Sequence, residues 1–187
     1  MNTTTVQLRT LSGCELAISG YPRFRYNAAG GGAQGTAQAL GNGRWALHFP
    51  AEQVRIPPLN GRTGRFLGLP LPPGLQIAIE PQRLEGCFDP ANGALNLRFE
   101  ARFQLQWLIG SNPVVRAPDL LVITELSSTG VSSRRHQLSG TPLQGDAPGE
   151  LVGVAQVPPC GAAWLDRFLG LPDEALAVLA CSLRLER

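Results

Sequence analysis

From residue 95 to residue 107 every odd position is apolar (Leu95, Leu97, Phe99, Ala101, Phe103, Leu105, Trp107) and every even one is polar (Asn96, Arg98, Glu100, Arg102, Gln104, Gln106). A period of two over so long a run defines a strand with one face buried. At about 3.3 Å per residue it spans roughly 43 Å, well beyond the usual strand of about six residues. Such a strand has to bend, in a strongly twisted sheet, a barrel or a sandwich whose strand crosses between sheets. Upstream, Leu84, Gly86 and Phe88 alternate with Arg83, Glu85 and Cys87, and Asp89-Pro90-Ala91-Asn92-Gly93 between the two runs carries turn chemistry. The predicted unit is a hairpin over residues 83–107.

Further strands are predicted over residues 6–11, 14–19, 23–26, 34–40, 44–49, 75–80, 120–126, 151–157 and 179–186, punctuated by Gly, Pro and Asn. With 22 Gly and 16 Pro there is room for only one or two short helices. The candidates are residues 162–169 and the equivalent stretch before Pro70, and Asp173-Glu174 opens a possible further turn. Residues 30–33 read as a hairpin tip and residues 127–137 as an exposed connection. The expected class is all-β, an antiparallel barrel or sandwich in one domain spanning residues 1–187.

One phrase occurs twice. Pro57-Pro58 leads into Arg65-Phe66-Leu67-Gly68-Leu69-Pro70, and Pro158-Pro159 leads into Arg167-Phe168-Leu169-Gly170-Leu171-Pro172. Each copy is followed by an apolar run and later by a Leu-Glu pair, Leu84-Glu85 and Leu185-Glu186. A fixed period points to a repeated structural unit, here two halves covering roughly residues 1–90 and 91–187, packed about a pseudo-twofold axis. As a plug, the phrase would cap one end of a barrel and fill it with Phe66, Leu67 and Leu69 and their counterparts Phe168, Leu169 and Leu171. As a mouth, it would flank an apolar cavity lined by Phe99, Phe103 and Trp107, with Arg65 and Arg167 holding the acidic head of an amphiphile. Residues 67–75, kept irregular by proline, would mark a docking surface if exposed.

Composition narrows the function classes. A net charge of +2, spread over sixteen basic residues that are all Arg, lacks the concentrated patch of a nucleic-acid binder. Charged residues make up only 16%, where roughly 25% is usual. The N-terminal residues show no leader pattern, and no stretch reaches the roughly 20 apolar residues of a membrane span. The expectation is a cytoplasmic protein, or one peripheral on the cytoplasmic side of a membrane. Cys14, Cys87, Cys160 and Cys181 form no CxxC pair and no metal-ligand spacing, so free thiols and no metal are expected. Cys87 and Cys160 are the candidates for any reactive thiol. His48 and His136 stand in no catalytic motif, and no nucleophile elbow or phosphate loop is present, so no catalytic residue and no cofactor is assigned.

The run Ile56-Pro57-Pro58-Leu59, then residues 65–77, Leu84-Glu85-Gly86, and Leu151-Val152-Gly153-Val154-Ala155 before the second hexapeptide, resembles an uncharacterised protein group of cyanobacteria and chloroplasts. The match spans most of the chain. That group has no assigned activity, so the resemblance implies a setting, the cytoplasmic or stromal side of photosynthetic membranes, and no site residues. Two readings follow. One is a non-enzymatic binding module that takes a lipid or pigment in its barrel or between its sheets. The other is an assembly protein that docks on a photosynthetic membrane complex through its Pro-rich apolar segments.

Overall fold

The computed structural model describes residues 3–186; Met1 and Asn2, which begin the N-terminal segment considered above, and Arg187 lie outside the described residues. In chain order the strands are β1 (Thr3–Thr10), β2 (Cys14–Ile18), β3 (Phe24–Tyr26), β4 (Gly32–Ala39), β5 (Trp45–Phe49), β6 (Val54–Arg55), β7 (Leu59–Asn60), β8 (Gly64–Phe66) and β9 (Leu69–Pro70). There follow β10 (Leu75–Asp89), β11 (Ala94–Ile109), β12 (Asn112–Arg116), β13 (Leu120–Ser127), β14 (Val131–Ser132), β15 (Gln137–Leu138), β16 (Gly149–Val157) and β17 (Asp173–Glu186). Among the described residues there is one 3-10 turn, at Ala51–Gln53, and one α-helix, α1, at Ala163–Leu169.

The hairpin expected over residues 83–107 is present and longer: β10 pairs with β11 from Leu75↔Trp107 to Asp89↔Ala94, with an irregularity at Pro81/Arg83. Eight strands follow one another in a ring, β1, β4, β5, β10, β11, β13, β16 and β17, and β17 returns to β1. The ring is partly closed, because β13 meets β16 through the one pair Ser127↔Val152. Antiparallel registers put the two ends of the molecule in order. One end holds the turns β4–β5 and β10–β11; the other holds the β2–β3 loop, the β8–β9 turn, the β11–β12 turn and α1.

The first end is solid. Val6, Leu47, Phe49, Leu95, Leu97, Leu151, Cys181 and their neighbours form one buried cluster inside the ring, as expected of an eight-stranded ring whose interior is about as wide as its side chains. Close approach of the walls depends on glycine: a Cβ at Gly86 would stand 1.9 Å from the Asn96 carbonyl oxygen, and one at Gly35 2.1 Å from that of His48. The outer face of β10 and β11 is a ladder of opposite charges, Arg83–Glu85 at 2.8 Å and Arg98–Glu100 at 2.9 Å, which is the neutralised exterior that the alternation predicts.

The second end is built differently, because strands change partners. The C-terminal part of β17 pairs with β1, while Ala175 to Val178 pair with β2. From there the sheet continues through β3 and β8 to β9.

The two copies of the hexapeptide adopt different structures. In the first, Arg65 and Phe66 end β8, Leu67 (φ 51°) and Gly68 (φ 83°) make the turn, and Leu69–Pro70 return as β9. Two positive φ values in a two-residue loop match the twist of a hairpin. In the second, Arg167 to Leu169 form the last turn of α1, and Gly170 (φ 73°) closes it in the left-handed conformation. The helix expected at residues 162–169 is present, and the one expected before Pro70 is replaced by the hairpin. Residues 127–137 are also not a plain connection: β14 and β15 form a small hairpin whose Val131 and Leu138 pack on Ala17, Val152, Leu176 and Val178 outside the main sheet. Asp173 and Glu174 open β17 rather than a helical turn.

Leu97→Ala removes a fully buried side chain from the solid end and is expected to destabilise the protein by about 2–5 kcal/mol. Gly86→Ala should cost more than a surface Gly→Ala change such as Gly41→Ala. Urea unfolding followed by tryptophan fluorescence measures both, and an unchanged Gly86→Ala midpoint would contradict the close packing of β10 on β11.

Candidate functional site

Above the solid cluster the interior is hollow. A cavity of about 430 Å³ lies between the upper parts of β10, β11 and β13 on one side and β17, β2, β3 and β8 on the other. Its hollowness follows from side-chain size. Gly153, Ala155, Ala175 and Ala177 line it from β16 and β17, too short to meet Phe99, Phe103 and Leu105 across the gap. Where Leu151, Leu183 and Phe49 take the equivalent inward positions, the same ring is filled. Polar groups in the lining are few, and most are engaged. The Tyr26 hydroxyl donates to the Pro57 carbonyl, Thr10 Oγ1 to Ala28 O at 2.6 Å, and Tyr21 Oη to Phe168 O at 2.5 Å. Thr124 Oγ1 has only a long contact to Glu125 O at 3.5 Å.

Helix α1 lies across the end of the cavity, joining β16 to β17. Leu165, Phe168 and Leu169 line the interior, and Leu165 is fully buried. The helix is short and its Ala162 cap offers no side-chain acceptor; instead Asp166 Oδ1 accepts the Cys160 amide at 2.7 Å. The Phe168 ring stands 6.2 Å from that of Tyr21 in the β2–β3 loop, and Phe24 packs on Phe66 at 4.6 Å.

The sequence-predicted residues divide between lining and rim. Phe66, Phe99, Phe103 and Phe168 line the cavity. Trp107, 44% exposed, stands beside Gly74 outside the lining, Leu69 is 69% exposed at the β8–β9 turn, and Leu171 is half-buried after α1. Arg65 is exposed and bonds the carbonyls of Gly61 and Gly64 at 2.8 and 2.9 Å, and Arg167 is exposed on α1. Leu105 lines the cavity too, on the predicted inward face of the long strand, whereas sequence reasoning missed Tyr21, Leu165 and the Gly153, Ala155, Ala175, Ala177 set. Small residues at alternating positions of two paired strands were the available signal.

A polar lock holds the start of β17 beside the cavity. Asp173, almost fully buried, accepts from Arg134 Nη2 at 2.6 Å, Arg135 Nε and Nη2 at 2.9 and 2.6 Å, and Ser19 Oγ at 2.7 Å. These bonds, Arg135 foremost, hold its carboxyl well below the usual carboxylate range. Burial opposes ionisation of Glu174, yet the Ser133 hydroxyl, the Gln156 side chain and the amides of Arg134 and Arg135 outweigh it and lower its pKa as well. The lock fastens the β14–β15 hairpin to the sheet.

Cys14, Cys160 and Cys181 are not activated nucleophiles. Burial raises the pKa of Cys14 and Cys160, and pushes Cys181 up to about 12 with Cys14 and Glu150 contributing. His48, 3.7 Å from Glu85, lies on the outer face of the ring, whereas His136 lies in the β14–β15 hairpin. Among the described residues no group of His, Cys, Asp and Glu could hold a metal ion, and no helix is long and apolar enough to cross a membrane.

Fold and site together define an all-β protein with a partly closed antiparallel ring, solid at one end and hollow and apolar at the other. Comparison with protein-family models, curated proteins and solved structures gives no match to this chain.

Both lock carboxyls have pKa values lowered by folding, so the unfolded chain takes up their protons first as pH falls, and the stability they confer above the ordinary carboxylate pKa is lost on acidification. The urea midpoint should therefore drop between about pH 5 and pH 2. Asp173→Asn should lower the neutral-pH midpoint and flatten that acid limb, and equal acid slopes in the two proteins would contradict the lock.

Proposed function

We propose that the protein is a non-enzymatic binding module that takes one apolar chain or ring system, a lipid or pigment, into the cavity under α1. The observation that carries this reading is the cavity itself: about 430 Å³ with a nearly all-apolar lining, within the range of small-molecule sites. A methylene takes up about as much room as a water molecule, roughly 30 Å³ in the liquid, so on the order of fourteen carbons fit. At about 0.8 kcal/mol each they contribute roughly 11 kcal/mol. Subtracting at least about 4 kcal/mol for lost freedom leaves a dissociation constant near ten micromolar or weaker. The exposed Arg65 and Arg167 stand near the rim rather than in the lining, so head-group capture by them belongs to a ligand that protrudes.

The order of strands in the ring supports descent of the two halves from one duplicated unit. β1, β4, β5 and β10 come from the first half, and β11, β13, β16 and β17 repeat that arrangement from the second. Each hexapeptide precedes the long closing strand of its half. The second functional reading, an assembly protein docking through residues 67–75, is favoured by the exposure of Leu67 and Leu69 at 70% and 69%. It is weakened by the burial of Leu71 and the inward position of Leu75, which leave no continuous patch.

Native mass spectrometry of protein purified from a lipid-containing host, followed by organic extraction, should show a stoichiometric apolar adduct. Titration of stripped protein with a fluorescent acyl probe should saturate at one site. Val122→Phe and Ala177→Phe, which fill the cavity from facing walls, should weaken uptake by at least about tenfold, with far-UV spectra unchanged. A clean apo mass with no probe uptake would sink the carrier reading.

A further inference from the structure

The cavity's rim exposes apolar side chains to solvent. Among the described residues twelve large apolar side chains are exposed, and nine belong to the hollow end. Tyr21 is in the β2–β3 loop, Leu67 and Leu69 are at the β8–β9 turn, and Trp164 and Phe168 are on α1. The β11–β12 hairpin supplies the other four, among them Trp107 and Ile109. At the solid end the exposed set is represented by Leu40 alone, beside the polar turn Gly41-Asn42-Gly43.

We propose that the hollow end docks on a lipid bilayer bearing anionic headgroups, with α1 at headgroup depth, so that the cavity fills from the bilayer; this rests on the carrier reading of the cavity. Three observations select a bilayer over a protein partner. First, α1 has apolar side chains on both sides: Leu165 and Leu169 line the cavity, Trp164 stands outside the lining and is 61% exposed, and Phe168, four residues on, touches the cavity yet is 59% exposed. A lid that met only water would be polar outside. Second, Trp107, Trp164 and Tyr21 pair an apolar ring with a polar tip, the side chains that settle at membrane–water interfaces.

Third, the charges at this end complement anionic headgroups. Arg65, Arg116 and Arg167 are exposed among the apolar side chains. Of the acids nearby, Asp173 is paired with Arg134 and Arg135, while Asp119 and Asp166, which accept from Gln104 Nε2 at 2.8 Å and the Cys160 amide at 2.7 Å, keep their charge and are outnumbered by the three arginines. Insertion of the rim would place the mouth of an apolar cavity against acyl chains, so a ligand could enter without crossing water. An amphipathic surface of this kind binds through buried apolar area plus attraction to anionic lipid.

Flotation with vesicles of phosphatidylcholine, alone or mixed equally with phosphatidylglycerol, tests the docking, and titration with the acyl probe in solution tests the cavity separately. Wild-type protein is expected to float with the mixed vesicles and less with the neutral ones. Leu67→Ser with Trp164→Ser, neither of which lines the cavity, should cut vesicle affinity by at least about tenfold and leave probe uptake unchanged. The three tryptophans of the chain report orientation: in single-tryptophan variants, brominated lipid should quench Trp164 and Trp107 and spare Trp45, which lies at the solid end. Probe uptake without flotation overturns the docking and leaves the carrier reading standing, whereas flotation without uptake does the reverse. Quenching of Trp45 equal to that of Trp164 overturns the proposed orientation. A dimer in light scattering that Trp164→Ser dissociates, with no flotation, assigns the face to a second copy and overturns the bilayer.

Discussion

The change of partner along β17 is the constraint on which the rest depends. Residues 181–186 pair with β1 inside an eight-stranded ring, and from three residues earlier, over Ala175 to Val178, the same strand pairs with β2, from which the sheet runs on through β3 and β8. The switch is possible because β1 and β2 both run antiparallel to β17, separated only by Leu11, Ser12 and Gly13; the Leu11 amide donates to Ala180 O at 2.9 Å and keeps the corner attached. β10 serves the opposite wall in the same way, pairing with β5 near its C-terminal end and with β7 near its start. Two long strands thus belong both to a tight ring and to a wider enclosure. The tight part excludes water and the wide part encloses space.

How much of this was legible in the sequence follows from which signals are local. The alternation from Leu95 to Trp107 has one solution, and β11 adopts it with the expected face inward as far as Leu105, with Trp107 exposed beyond the lining; Leu97, Phe99, Phe103 and Leu105 all reach the cavity. The hexapeptide has no single solution. Its one shared element is glycine in the left-handed region, at Gly68 and at Gly170, and flanking residues decide what that glycine terminates. Before the first copy, Asn60 and Thr63 bond each other's backbone and lead the chain into pairing with β3. Before the second, Asp166 ties down Cys160 and lets a turn of helix form. Identity over six residues fixes a turn point, not a secondary structure.

The site was legible in its aromatic half only. Large inward side chains announce themselves by alternation, whereas space comes from what is missing, the short Gly153, Ala155, Ala175 and Ala177 on the facing strands. Their alternation marks an inward face, but the space they leave exists only once β16 and β17 are known to stand across the interior from β11. The same holds for the lock. Nothing local links Arg134 and Arg135 to Asp173, thirty-eight residues on from Arg135; the β14–β15 hairpin brings them together from outside the main sheet.

The hollow end sets an energetic problem that the solid end and the lock answer together. At about 24 cal/mol per Å³, an unfilled apolar void of this size would cost on the order of 10 kcal/mol, comparable to the whole net stability of a typical domain, about 5–15 kcal/mol. The chain can carry such a space only where its walls are held by something other than side chains meeting across it. Here β10, β11 and β17 are anchored by the packed cluster below, and the start of β17 is pinned from outside through Asp173 and Glu174. A wall supported at its base and its outer face does not need its inner face filled. On the proposed carrier reading the inner face is left to an occupant, which stabilises the fold by the same contacts through which it binds.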